Sequence, residues 1–98
     1  MVKHLLCHPS YAGLAIVRDA AQAHGALLNG KQLVEHGDAV SLSYYPTKNV
    51  GAPEGGAILT NNDEIDAIAR IYRNQGMSQR YVYEMSGDNL RMTDIHAT

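Results

Sequence analysis

An unbroken apolar run, Leu14 to Val17, leads directly into Arg18 and Asp19. It lacks the alternation of a half-buried strand and suits a parallel strand covered on both faces. Asp19 then falls at the C-terminal end of that strand, the edge at which open α/β sheets bind ligands. Residues 20–38 separate it from a further strand, Ala39 to Ser43, and that length is enough for a parallel crossover. Upstream, Val2 to Leu6 reads as a short strand closed by Cys7-His8-Pro9. Between these first two strands lie only residues 7–13, short of the roughly dozen residues that a parallel crossover needs. The expectation is that a helix is missing there.

The rest of the chain divides at its turn residues. AAQAHG can form a turn or two of helix, and LLNGKQLVEHGD a loop or small hairpin about Asn29-Gly30. Gly56 to Thr60 reads as the next strand. A helix follows, with Asn61 as its cap and Glu64 three residues on, as in a capping box. Ile65, Ile68, Ala69 and Tyr72 recur at helical spacing to make one apolar face. Arg70 and Arg73 suit its C-terminal dipole, and Gly76 its closing turn. Residues 77–91 read as irregular, although Tyr81 and Tyr83 alternate as in a short strand. A helix begins near Thr93 or Asp94.

Length and charge narrow the function. Ninety-eight residues allow one small domain, and with six Tyr but no Phe or Trp its core must be aliphatic and tyrosine-based. A net charge of −2 argues against a nucleic-acid partner. No run is long enough to span a membrane and MVKHLLCHP has no signal-peptide shape, so a cytoplasmic location is expected. The lone Cys7 excludes an internal disulfide and fits a reducing compartment. His4, Cys7 and His8 lack metal-ligand spacing in a strand, and no metal site is expected.

The chemistry concentrates in SLSYYPTKN, Ser41 to Asn49, with GAPEGGAILTN directly behind it. Pro46 ends the strand and Lys48 sits just past it. Alone, Lys48 is an ordinary loop lysine, Asp19 an ordinary helix cap, and Ser43 a strand-end hydroxyl. Glu54-Gly55-Gly56 lacks the spacing of a phosphate-binding P-loop. Together, DAAQAHG and SLSYYPTKN supply an Asp, a Ser and a Lys, the residue types of a pyridoxal phosphate site. The amine bonds the cofactor covalently, the carboxylate keeps the ring nitrogen protonated, and the hydroxyl takes the phosphate.

DAAQAHG, SLSYYPTKN, EGGAILTN, RNQGMSQRY and GDNLRM, in that order, closely resemble the DegT/DnrJ/EryC1/StrS family of pyridoxal-phosphate-dependent sugar aminotransferases. The resemblance implies an α/β fold, part of the large domain of the type I aspartate-aminotransferase architecture. That domain is a mostly parallel sheet with flanking helices, and residues 1–98 would be a single incomplete segment of it. It also implies amino transfer from glutamate to a nucleotide-linked keto-deoxysugar, in a homodimer.

Position by position, the resemblance makes Lys48 the covalent and proton-shuttling lysine and Asp19 the partner of the pyridinium nitrogen. Ala21 would pack on the ring and Gln22 would bond its phenolic oxygen. Ser43 would bind the phosphate, and Asn89 would reach the partner subunit's cofactor phosphate. Where related dehydratases have His, this chain has Lys48, which favours amino transfer. The helix that the family places between the strands matching HLLCHP and LAIVRD is replaced by SYAG, the same deficit that the short connection shows. The alternative expectation is therefore a non-catalytic fragment that does not hold the cofactor stably.

Overall fold

The computed structural model describes residues 13–98. The expected strand at Val2 to Leu6, the short connection after it, and His4, Cys7 and His8 lie outside the described residues.

A three-stranded sheet forms the centre, in the order β1 (Val17–Asp19), β4 (Ala39–Ser43), β5 (Gly56–Leu59). β1 and β4 run parallel, with Val17 beside Ala39 and Asp19 beside Ser41. β5 joins the other side of β4 antiparallel, pairing Val40 with Leu59 and Ser43 with Gly56. β4 and β5 lie where the sequence places them. β1 starts three residues later than its apolar run, because the backbone of residue 16 is bound elsewhere. The Ile16 N–H donates to the Asp38 carboxylate at 2.7 Å, and its carbonyl accepts from the Asp38 N–H at 2.9 Å. Nor is the run covered on both faces: Val17 is 73% exposed. Among the described residues the fully buried apolar side chains are Ala20 and Val40, so the core sits on the central strand and the turn just beyond β1.

AAQAHG forms consecutive turns instead of a helix. The Asp19 carboxylate accepts from the Ala21 N–H at 3.0 Å, and the carbonyls of Ala20 and Ala23 accept from the N–H groups of Ala23 and Ala26. Such local side-chain bonding competes with helix formation. Beyond Gly25, β2 (Leu27–Leu28) and β3 (Lys31–Gln32) form the hairpin marked by Asn29-Gly30. Both turn residues have positive φ, 55° and 77°, as a type I′ turn demands. A 3-10 helix, Leu33–His36, returns the chain to β4.

The helix after β5, α1 (Asp63–Tyr72), is capped by Asn62 and not by Asn61. Asn62 Oδ1 accepts from the Glu64 and Ile65 N–H groups at 2.9 and 3.3 Å. Thr60 sets this register: its hydroxyl donates to the Asp38 carbonyl at 2.6 Å and accepts from the Asn62 N–H at 3.0 Å. Glu64 therefore sits one place too early for a capping box. Of the expected apolar face, Ile65 and Ala69 are half-buried, whereas Ile68 and Tyr72 remain 47% and 43% exposed.

Gly76 closes the helix with φ +75°, its N–H donating to the Ile71 carbonyl at 3.0 Å. A Cβ at Gly76 would run into the Met85 carbonyl, since the returning chain crosses there. Residues 77–91, expected to be irregular, contain a short antiparallel hairpin, β6 (Met77–Gln79) and β7 (Val82–Tyr83). Tyr81 turns it at φ +65°, a conformation that its side chain does not announce. Thr93 caps the last element, a 3-10 helix Asp94–His96. No helix among the described residues is long and apolar enough to cross a membrane.

Candidate functional site

The parallel pair and the antiparallel hairpin bring the Asp19, Ser43 and Lys48 segments to one edge of the sheet. Asp19 is the last residue of β1, aligned with Ser41, and Ser43 is the last residue of β4. Side chains alternate along a strand and match across a pair, so Asp19, Ser41 and Ser43 share a face. The chain leaves β4 through Tyr44, whose N–H donates to the Gly55 carbonyl at 2.9 Å and whose carbonyl accepts from the Ala52 N–H at 2.6 Å. These bonds close the base of the loop that carries Lys48.

Within that loop the Lys48 N–H donates to the Tyr45 carbonyl at 2.9 Å. Gly51 folds back so closely that a Cβ there would come 2.9 Å from the Pro46 carbonyl oxygen. Lys48 is half-buried, and its amine makes no ion pair or hydrogen bond among the described residues. Ser43 Oγ accepts from the Tyr45 N–H at 3.3 Å, which leaves its proton to donate. Asp19 gives one carboxylate oxygen to Ala21 and keeps the other without a partner among the described residues. Half-buried Ala21 and exposed Gln22 follow in the same turn.

Asn89 stands apart. It forms an antiparallel bridge with Asn74 just past α1, and its side-chain oxygen accepts from Arg91 Nε at 2.9 Å. Arg91 also donates to Asn74 Oδ1 at 3.2 Å. No hydrogen bond among the described residues joins Asn89 to the other five candidates. Nearby, the Tyr72 hydroxyl donates to Asp88 at 3.1 Å. That bond, and then the Asp88 charge, raise the Tyr72 pKa above its usual value.

Two residues without a sequence signal adjoin the edge. His24 packs its ring against Tyr44, with centroids 5.9 Å apart and planes inclined by 33°. Both ring nitrogens are shut off from solvent and meet no hydrogen-bond partner among the described residues. Leaving a buried polar group unpaired costs about 1–3 kcal/mol, so this arrangement is an expensive one. A histidine among alanines gave no reason to expect it. A cleft of about 710 Å³ lies between β5, α1 and the C-terminal segment, reaching from Ser41 and Gly56 to Arg73, Arg91 and His96.

The family model described as the DegT/DnrJ/EryC1/StrS aminotransferase family matches residues 4–98. The chain belongs to that family. It is 41% identical over 86 residues to a dTDP-3-amino-3,4,6-trideoxy-alpha-D-glucose transaminase of Streptomyces venezuelae, covering 87% of this chain and 23% of that one. It is 43% identical to a protein of Geobacillus stearothermophilus named pleiotropic regulatory protein, with the same coverage. The structure of S. venezuelae DesV in complex with a ketimine intermediate matches with a TM-score of 0.84 at 38% identity, covering 98% of this chain and 25% of that one. A DegT DnrJ EryC1 StrS aminotransferase from Brucella abortus matches with a TM-score of 0.83 at 28% identity. The chain thus spans about a quarter of the length of these relatives and has part of the aminotransferase fold.

The residue types gathered near the strand edge are those that the cofactor implied by this family calls for. An amine, a carboxylate with one oxygen, a hydroxyl with its proton and an amide, each unengaged among the described residues, come from adjoining segments. They are the groups that a phosphorylated pyridine aldehyde needs.

Proposed function

We propose that residues 1–98 form one segment of the cofactor-binding domain of a pyridoxal-phosphate-dependent aminotransferase. Its substrates are glutamate, as amino donor, and a nucleotide-linked keto-deoxysugar, as acceptor. The observation that carries this reading is the strand register, which delivers Asp19, Ser43 and the Lys48 loop to a single edge.

When bound, the cofactor supplies an electron sink for the carbon that carries the amino group. Lys48 Nζ would hold the cofactor covalently, and as a free amine it would move a proton to and from the substrate carbon. The Asp19 carboxylate holds the proton on the ring nitrogen by its charge. Ala21 keeps the ring face clear of bulk, the Gln22 amide orients the phenolic oxygen, and Ser43 Oγ donates to the phosphate. Asn89, outside the cluster within one chain, serves the phosphate of a partner subunit in a homodimer. Glutamate leaves as 2-oxoglutarate and the sugar ketone as a primary amine. The names of the relatives support this substrate class, among them a GDP-perosamine synthase of Caulobacter vibrioides, 41% identical over 86 residues.

One observation favours a second reading, a segment that does not hold the cofactor stably by itself. The fully buried apolar side chains among the described residues are Ala20 and Val40 alone, and Ile58 on the sheet is 60% exposed. A sheet this bare gives its strand edge little rigidity.

Titration of the purified chain with pyridoxal phosphate, followed by visible absorbance and borohydride reduction, separates the two. A reducible band that disappears in Lys48→Ala supports the first reading, and conversion by glutamate would then establish the half-reaction. A folded chain with no band supports the second.

A further inference from the structure

The backbone ladder between the Asp19 and Lys48 segments ends early. Its last rung is the bond from the Ala20 N–H to the Ser41 carbonyl, at 2.9 Å. Beyond it, the turn at residues 20–25 and the loop at residues 44–55 share no hydrogen bond among the described residues. Their relative position past the strand ends is thus left to side chains. His24 and Tyr44 make that connection, at the centroid separation of an aromatic pair. The Tyr44 backbone is itself fixed at both its N–H and its carbonyl, so the ring that meets His24 springs from a held position.

We propose that His24 is a positioning residue that ties the Asp19 turn to the Lys48 loop through the ring of Tyr44. The tie acts as a flat ring and not as a hydrogen-bonding group, because both imidazole nitrogens are enclosed and have no partner among the described residues. It sets the separation between the residue that holds the ring nitrogen and the lysine that bonds the same cofactor. In this respect it rests on the cofactor reading above. Sites of this kind lose affinity when their supporting shell is loosened by even about 1 Å.

The test combines His24→Phe, His24→Ala, His24→Asn and Tyr44→Leu in the 98-residue chain, with two readouts. The first is the thermal midpoint without cofactor. His24→Phe keeps the ring and removes the unpartnered nitrogens, so its midpoint equals or exceeds that of the native chain, whereas His24→Ala lowers it. The losses from His24→Ala and Tyr44→Leu are less than additive when combined. The second readout is pyridoxal phosphate affinity by absorbance titration. His24→Phe stays within about twofold of the native chain, while His24→Ala and His24→Asn weaken binding roughly tenfold.

Rescue by Asn with failure of Phe overturns the proposal, since the nitrogens would then matter. Unchanged affinity in His24→Ala also overturns it. A native chain that takes up no cofactor defeats the cofactor reading. The tie is then judged on the midpoints, where additive losses at His24 and Tyr44 overturn it.

Discussion

Asp19 lies beside Ser41 in the parallel pair, and one oxygen of its carboxylate is already committed to the Ala21 N–H, at 3.0 Å. The side chain thus has two separable duties, shaping the turn after β1 and presenting a negative charge at the strand edge. Asp19→Asn keeps an acceptor for Ala21 and removes the charge. It should leave stability nearly unchanged while weakening pyridoxal phosphate binding at least about tenfold. Asp19→Ala removes both, and should also lower the unfolding free energy by about 1 kcal/mol. Denaturant unfolding alongside cofactor titration separates the two effects.

The start of α1 can be tested at two adjacent asparagines. Asn62 accepts from two N–H groups of the first turn, and Asn61 makes no hydrogen bond there. Asn62→Ala should cost about 1 kcal/mol, and Asn61→Ala should stay within about 0.5 kcal/mol of the native chain. Urea unfolding of both variants measures the difference.

Gly76 combines a left-handed φ with a close approach to the Met85 backbone. Gly76→Ala must therefore pay the left-handed penalty, about 1–2 kcal/mol, and displace the crossing chain as well. Gly30, at φ +77° with open space around it, carries the conformational penalty alone. Gly30→Ala should be the milder change, a ranking that their thermal midpoints will show.

Tyr72 donates its phenolic proton to Asp88, and its pKa is raised above the usual 10.0 by that bond and by the Asp88 charge. The protonated form is the one that the fold favours. The stabilisation is fully present below the unfolded-state pKa and is lost as pH rises through the higher folded-state value. The midpoint difference between the native chain and Tyr72→Phe should therefore persist up to about pH 10 and shrink as the pH rises above it.

Much of this arrangement was legible where one residue decides the local geometry. Asn29-Gly30 marks its hairpin because both positions need positive φ, and Pro46 falls in the loop that follows the end of β4 at Ser43. Asp19 ends β1, as its place just past the apolar run implies, even though β1 begins late. The misreadings arose where a bond that the sequence does not announce overrides a local preference. Thr60 bonds across to Asp38 and moves the helix cap from Asn61 to Asn62. Asp19 bonds to Ala21 and turns an alanine-rich segment away from helix. Tyr81 enters a left-handed turn that only the pairing of its neighbours requires. The His24 and Tyr44 contact was invisible for the same reason, since its two rings lie twenty residues apart in the chain and meet through the β1 and β4 pairing.

The mixed pairing of β4 also sets an order of assembly. Its partner β5 follows after a single loop, so the lysine-bearing half of the edge can form from neighbours in the chain. Its partner β1 must be brought in across a separation of 22 residues, as between Ile16 and Asp38. Closing the longer stretch costs more entropy before any contact compensates for it, and such pairings form slowly. On the ribosome the order of synthesis runs the other way, because the aspartate emerges first and must wait for β4. The newly made aspartate turn therefore stays without its β4 partner until the central strand has cleared the exit tunnel.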